Sequence, residues 1–196
     1  MPHPLMKRKY WIFDMDGTLT LAQHDFIAMR QALGLPGHQT ILESLAELPE
    51  AEAAPKRIQL NKIELEIASQ AQAAEGATDL LDYLRHQNAQ IGILTRNSLQ
   101  NIEVTLRAAG LWDYFSVENL VSRDCVPPKP HPAGIERLLT QWQGLPTDAV
   151  MVGDYLYDLQ AGRAAQTSTI YIDPSKKFNH REYADVCIAE LHELLS

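Results

Sequence analysis

Tyr10-Trp11-Ile12-Phe13-Asp14-Met15-Asp16-Gly17-Thr18-Leu19-Thr20 sets four large apolar and aromatic residues directly ahead of two carboxylates and a glycine. The apolar run lacks alternation, which predicts a parallel strand covered on both faces. Its end aims Asp14 and Asp16 into one small turn, and two like charges held that close need a cation. A hard divalent ion with oxygen ligands suits such a pair better than packing does, so the stretch points to magnesium-dependent phosphoryl chemistry.

Working outward, short apolar runs recur at residues 90–94, 149–152 and 169–172, with helical patterns at 78–87, 98–109, 132–142 and 158–165 between them. Strands alternating with helices predict an α/β fold, a doubly wound parallel sheet with right-handed crossovers and ligands at the carboxyl ends of its strands. Asp14, Thr95 and Gly153-Asp154 each stand immediately after one of these runs. Any one of them alone reads as a helix N-cap. Together they predict one site on one sheet edge.

Residues 21–75 break the alternation and read as helices only, at 25–35, 39–48 and 55–74, the last with Leu60, Ile63, Ile67, Ala71 and Ala74 at helical spacing. This divides the chain into an α/β core of residues 1–20 and 76–196 and a helical cap of residues 21–75. A chain of 196 residues has room for one core with a modest addition. A net charge of -8 argues against a nucleic-acid partner. No run approaches the length of a membrane span and no signal-type apolar segment opens the chain, so a cytoplasmic protein with no membrane contact is expected. Cys125 and Cys187, far apart and without metal or redox spacing, are expected as reduced thiols.

The residue types suggest roles. Asp14 is a serviceable nucleophile, and its attack on a phosphate monoester gives an easily hydrolysed acyl-phosphate. Asp16 can protonate the leaving oxygen and then deprotonate the attacking water, for which its pKa should lie above that of an ordinary aspartate. Gly17 frees the turn, within which Thr18 is expected to hydrogen-bond. Lys129, in Pro127-Pro128-Lys129-Pro130, is the candidate cation for the phosphate. Asp154 can reach a metal from its strand end, while Asp158, one turn on, can brace a metal-bound water or Lys129. Arg96 is a candidate for an anionic group in the cleft, and His24 and Asp25 for its lining. Trp11 and Phe13 are expected in the core, Trp112 and Trp142 at partly exposed helix ends.

These motifs, Asp14 to Thr20, Ile93-Leu94-Thr95, Lys129, and Gly153-Asp154 with Asp158, resemble in order and context those of the haloacid dehalogenase superfamily. Within its phosphatase branch the chain is most similar to the phosphoglycolate phosphatase type, which inserts a helical cap after the first motif; the resemblance covers about residues 9 to 175. It implies catalytic roles for Asp14 and Asp16 and phosphate contacts from Thr95 and Lys129, with Arg96 beside them. It also implies Mg2+ held by Asp14, the Asp16 backbone carbonyl and Asp154, with Asp158 in support. The implied substrate is a small phosphorylated molecule, phosphoglycolate-like or a sugar phosphate. Three features depart from the pattern: Arg96-Asn97 follows Thr95 where many relatives place asparagine first, Tyr155 stands where a small hydroxyl residue is usual, and the cap is short. A sugar-phosphate mutase on the same core and a non-catalytic phosphatase-like binding module are the alternatives. Dehalogenation is disfavoured, since it has no need of the acid at Asp16.

Overall fold

The expected central strand forms as β1 (Tyr10–Phe13) in the computed structural model, which describes residues 2–37 and 39–196. On one side of it lie β2 (Gln90–Leu94) and β3 (Leu120–Val121), and on the other β4 (Ala149–Gly153), β5 (Ser168–Ile172) and β6 (Val186–Ile188). All pairings are parallel, in the order β3-β2-β1-β4-β5-β6. The chain builds outward from β1 in one direction, then returns and builds in the other from β4. The crevice at their carboxyl ends is therefore the topological switch point of the sheet. Phe13 is in register with both Ile93 and Val152, which brings Asp14, Thr95 and Asp154 out near one level.

Successive residues of β1 serve opposite faces of the sheet. Trp11 and Phe13 pack with residues of α4 (Ala77–His86) and α5 (Leu99–Ala108), while Ile12 packs with α6 (Ala133–Trp142) and α7 (Leu156–Ala164). All three side chains are fully buried, which explains why the strand has no polar positions. The two shortest strands, β3 and β6, escaped the sequence pattern: runs of two and three residues fall below the length at which periodicity separates strand from loop. Trp112 and Trp142 are partly buried, and both cysteines are free thiols. No helix among the described residues is long and apolar enough to cross a membrane.

Between β1 and α4 the chain forms α1 (Phe26–Leu33), α2 (Ile41–Ala46) and α3 (Glu50–Ala68). These enclose a small core of their own, with Met29, Leu33, Ile41, Leu45 and Leu60 at its centre. Helix α3 differs from the expected 55–74 at both ends. It starts at Glu50, with Pro49 as N-cap and Glu50 and Glu52 in the first turn, where carboxylates suit the helix dipole; Pro55 sits inside and forfeits one backbone bond. It stops at Ala68 because residues 72–74 return beside the exit of β1: the Leu21 N–H donates to the Gln72 carbonyl at 3.0 Å and the Ala74 N–H to the Leu19 carbonyl at 2.8 Å. Ala71 and Ala74 thus leave the helix to which their spacing assigned them.

The insertion is tied to the sheet by charge. Arg123, just beyond β3, donates from Nη1 and Nη2 to the two carboxylate oxygens of Glu64 on α3, each at 2.9 Å, and from Nη2 to Asn61 Oδ1 at 2.9 Å. A fork-on-fork pair of this kind fixes orientation as well as distance. Arg96, following β2, pairs with Glu43 of α2. Because Arg123 and Glu64 are both largely buried, removing one strands the other's charge. Arg123→Ala is expected to lower stability by about 3 kcal/mol in urea denaturation and to raise hydrogen exchange in residues 26–68 more than in β1, β2 and β4. Equal exchange in both regions would show that the pair does not hold the insertion in place.

Candidate active site

The turn after β1 is shaped by Gly17, whose φ of +81° lies in the left-handed region and whose Cα faces the Asp154 carboxylate so closely that a Cβ there would overlap it. The same logic operates at the end of β4, where a side chain on Gly153 would overlap the Asp158 carboxyl group. Two glycines thus let two carboxylates close onto the carboxyl ends of the central strands. Thr18 bonds within the turn as expected, through its backbone: its N–H donates to the Met15 carbonyl at 3.3 Å, while its buried hydroxyl has no partner among the described residues. Thr20 adds a side-chain bond to the same acceptor, its Oγ1 donating to the Met15 carbonyl at 3.2 Å.

Lys129 is at the centre of the cluster. It is 3% exposed, and its Nζ donates to Asp14 Oδ1 and to Asp158 Oδ1, both at 2.6 Å. The second oxygen of Asp158 accepts the Tyr155 N–H at 3.0 Å, so both Asp158 oxygens are committed. Carboxylate oxygens of Asp14, Asp154 and Asp158 lie within 4.8 Å of one another. Burial alone would lower the Lys129 pKa, but Asp14 and Asp158 outweigh it and hold the pKa above the ordinary lysine value. Burial, with Asp14 and Asp158, pushes the Asp154 pKa well above the usual carboxylate value against the pull of Lys129. Asp158 is raised to about 6 by burial, Lys129 opposing and Asp14 adding.

Asp16 lies across the turn. Its Oδ2 accepts from Asn97 Nδ2 at 2.6 Å, and His24 Nδ1 is 3.9 Å from its Oδ1. Burial raises its pKa, His24 and Asn97 favour its charged form and Asp14 disfavours it, with a net value of about 6. The rise expected from the sequence is therefore present, with desolvation as its main cause. Asn97 is held in turn: its Oδ1 accepts from Asn101 Nδ2 at 3.2 Å, and the same nitrogen is 3.2 Å from Glu64 Oε2. A continuous chain of hydrogen bonds thus runs from Glu64, the partner of Arg123, to Asp16. Asn97, two residues past Thr95, stands out in the sequence only as a departure from the family pattern and not as a partner of Asp16; Asn101, Glu64 and Arg123 carry no sequence signal.

Thr95 is buried, and its Oγ1 accepts the Asn97 N–H at 3.2 Å. A cleft of about 390 Å³ opens above these groups, and Asp14, Asp16, Thr95, Lys129, Asp154 and Asp158 all line it. Arg96 lines it too, but its guanidinium pairs with Glu43 and lies over the Tyr157 ring, 4.9 Å from the centroid. His24 also faces the cleft, whereas Asp25 caps α1 by accepting from the Ile27 and Ala28 N–H groups.

The family model of haloacid dehalogenase-like hydrolases matches residues 25–172. An uncharacterised hydrolase of Saccharomyces cerevisiae is 30% identical over 193 residues, covering 94% of this chain and 88% of its own. A phosphoglycolate phosphatase of Nitrosococcus oceani is 31% identical over 106 residues, which is 54% of this chain and 45% of that protein. Among solved structures, a hydrolase from Pseudomonas syringae superposes with a TM-score of 0.80 at 22% identity over 96% of both chains. The chain belongs to the haloacid dehalogenase-like hydrolase family.

A carboxyl whose folded pKa lies above its unfolded one favours the folded state while protonated and loses that advantage as pH climbs through the folded value. For Asp16 the advantage is full below about pH 4 and lost by somewhat above 6. Asparagine at this position does not titrate. In chelator, the stability of the wild type relative to Asp16→Asn is expected to fall by roughly 3 kcal/mol between those limits, read from urea melts at a series of pH values. A difference independent of pH would mean that Asp16 is not raised.

Proposed function

We propose that the protein is a Mg2+-dependent phosphatase that hydrolyses a small phosphate monoester through an aspartyl-phosphate on Asp14. In this reading residues 21–75 act as a cap over a catalytic core of residues 1–20 and 76–196. The observation that carries it is the set of three carboxylates, Asp14, Asp154 and Asp158, gathered around the single ammonium of Lys129. That ratio leaves an excess of buried negative charge, which fits a divalent cation with hard oxygen ligands. Asp14, the Asp16 backbone carbonyl and Asp154 would hold the ion, and Asp158, already committed to Lys129, would support from behind. When bound, the ion supplies charge compensation for a phosphate dianion approaching an anionic nucleophile.

The chain's own residues account for the remaining steps. Lys129 fixes the Asp14 carboxylate by its Oδ1 and presents positive charge toward the incoming phosphate. Thr95, buried at the end of β2, offers a hydroxyl to a phosphoryl oxygen. An Asp14 oxygen attacks phosphorus, the bond from phosphorus to the ester oxygen breaks, and Asp16 gives its proton to that departing oxygen. Water then attacks the acyl-phosphate, Asp16 takes a proton from it, and phosphate leaves with Asp14 restored. A pKa of about 6 suits a group that must both give and take a proton near neutrality. The phosphoglycolate phosphatase among the relatives supports the reaction class; with a match over less than half of that protein, it leaves the leaving group to the cleft itself.

With a generic aryl phosphate and Mg2+, the wild type is expected to release phosphate and Asp14→Asn to lose at least a thousandfold of that rate, as for loss of a nucleophile. Excess EDTA should abolish turnover and added Mg2+ restore it. Equal rates in the wild type and Asp14→Asn, or undiminished rates in chelator, would contradict the proposal.

A further inference from the structure

The cleft is larger and more aromatic than a two-carbon acid or a bare sugar needs. On the insertion side Phe26 lines it and is 56% exposed, its ring stacked on His24 at 5.6 Å and 14°. On the core side it is lined by Tyr155 and Tyr157, which meet edge to face at 5.2 Å, and Tyr155 is 49% exposed. Tyr155 is braced a second time, edge on, by His180 at 5.8 Å. One face of Tyr157 is taken by Arg96. Exposed aromatic rings held in place by their neighbours on two sides of one catalytic cleft are poor for solubility and good for stacking. Tyr155 directly follows Asp154, so its ring stands one residue from the carboxylate cluster. Thr40 lines the cleft as well; its hydroxyl is closed to solvent and has no hydrogen-bond partner among the described residues, and a rotation about χ1 would present it to a ligand. An unpaired hydroxyl of this kind favours a ligand with ring nitrogens or exocyclic polar groups over a plain hydrocarbon ring.

We infer that the substrate carries a planar heteroaromatic group beyond its phosphorylated carbon, seated between Phe26 and Tyr155 with its polar edge toward Thr40. This rests on the phosphatase reading and specifies its leaving group. A nucleoside monophosphate and a pyridoxal-type phosphate share that chemistry. A leaving group of this size also fits the volume of the cleft, at about 390 Å³ within the usual range for sites that enclose a small molecule.

The test compares kcat/KM for a nucleoside monophosphate with that for ribose phosphate esterified on the same carbon. Both release the same primary hydroxyl of ribose, and ribose phosphate carries an anomeric hydroxyl where the nucleotide carries its base. Pyridoxal phosphate, run in parallel, separates the two sources of ring. The expected result is a preference of about tenfold or more for at least one ring-bearing substrate over ribose phosphate, the size that stacking on an aromatic side chain confers. In Phe26→Ala and in Tyr155→Ser that ratio should fall toward one. Each variant serves as its own control, since a partial loss of folded protein or of rate scales both kcat/KM values alike and cancels in the ratio. Ribose phosphate turned over as well as both ring-bearing substrates, or a preference undiminished in either variant, would overturn the inference while leaving the phosphatase reading intact. Absence of phosphate release from every ester, generic aryl phosphate included, would overturn both.

Discussion

Lys129 donates at 2.6 Å to Asp14 and to Asp158 inside a pocket where all three side chains are nearly closed to water. Burying an ammonium and several carboxylates is costly, and the cost is recovered only if partners and distances are held closely. The sheet supplies that hold. Asp14 comes from the end of β1, Asp154 from the end of β4 beside it, Asp158 from the first turn of α7, and Lys129 from the proline-flanked loop ahead of α6. Each element is anchored by apolar packing well away from the charges, and Gly17 and Gly153 remove the side chains that would keep the carboxylates apart. The geometry proposed for catalysis is in this sense a consequence of two parallel strands with fully buried interiors.

The second dependence runs through the insertion. Glu64 on α3 meets Arg123 and Asn101, Asn101 meets Asn97, and Asn97 meets Asp16. The helical unit that would select the leaving group is thus bonded, through side chains alone, to the group that would protonate it. Arg96 reinforces the junction from the other side, joining Glu43 of α2 to the Tyr157 ring of the core. In the proposed mechanism substrate recognition and proton transfer would share one polar framework, and Phe26 and Tyr155 line the same cleft.

Much of this was legible in the sequence, and for identifiable reasons. The strands at 10–13, 90–94, 149–153 and 168–172 are buried on both faces, and such strands write themselves as uninterrupted apolar runs. The carboxylates after two of them then follow from where α/β sheets bind ligands. What could not be read is what depends on side chains meeting across distance in the chain. Asn97 and Asp16 are 81 positions apart and Arg123 and Glu64 are 59 apart, in residue types that are ordinary on any surface. The early end of α3 was hidden for a related reason: its helical pattern continues through Ala71 and Ala74, and only pairing with residues 19–21 stops it. Arg96 illustrates the limit on single residues. Its place in the cleft was readable from Thr95, but its pairing with Glu43 depends on the fold of α2.

The central claim is that Asp14 is phosphorylated and Asp16 both releases the leaving group and activates water. With an aryl phosphate, whose leaving group needs no proton, Asp16→Asn should still form the acyl-phosphate but hydrolyse it slowly. Rapid acid quench of that variant with labelled substrate and Mg2+, followed by peptide mapping, tests this directly. The account predicts stoichiometric label on the peptide containing Asp14 and none in the Asp14→Asn, Asp16→Asn double variant. Label on a different residue, or steady phosphate release by the wild type with no labelled protein in either form, would contradict it.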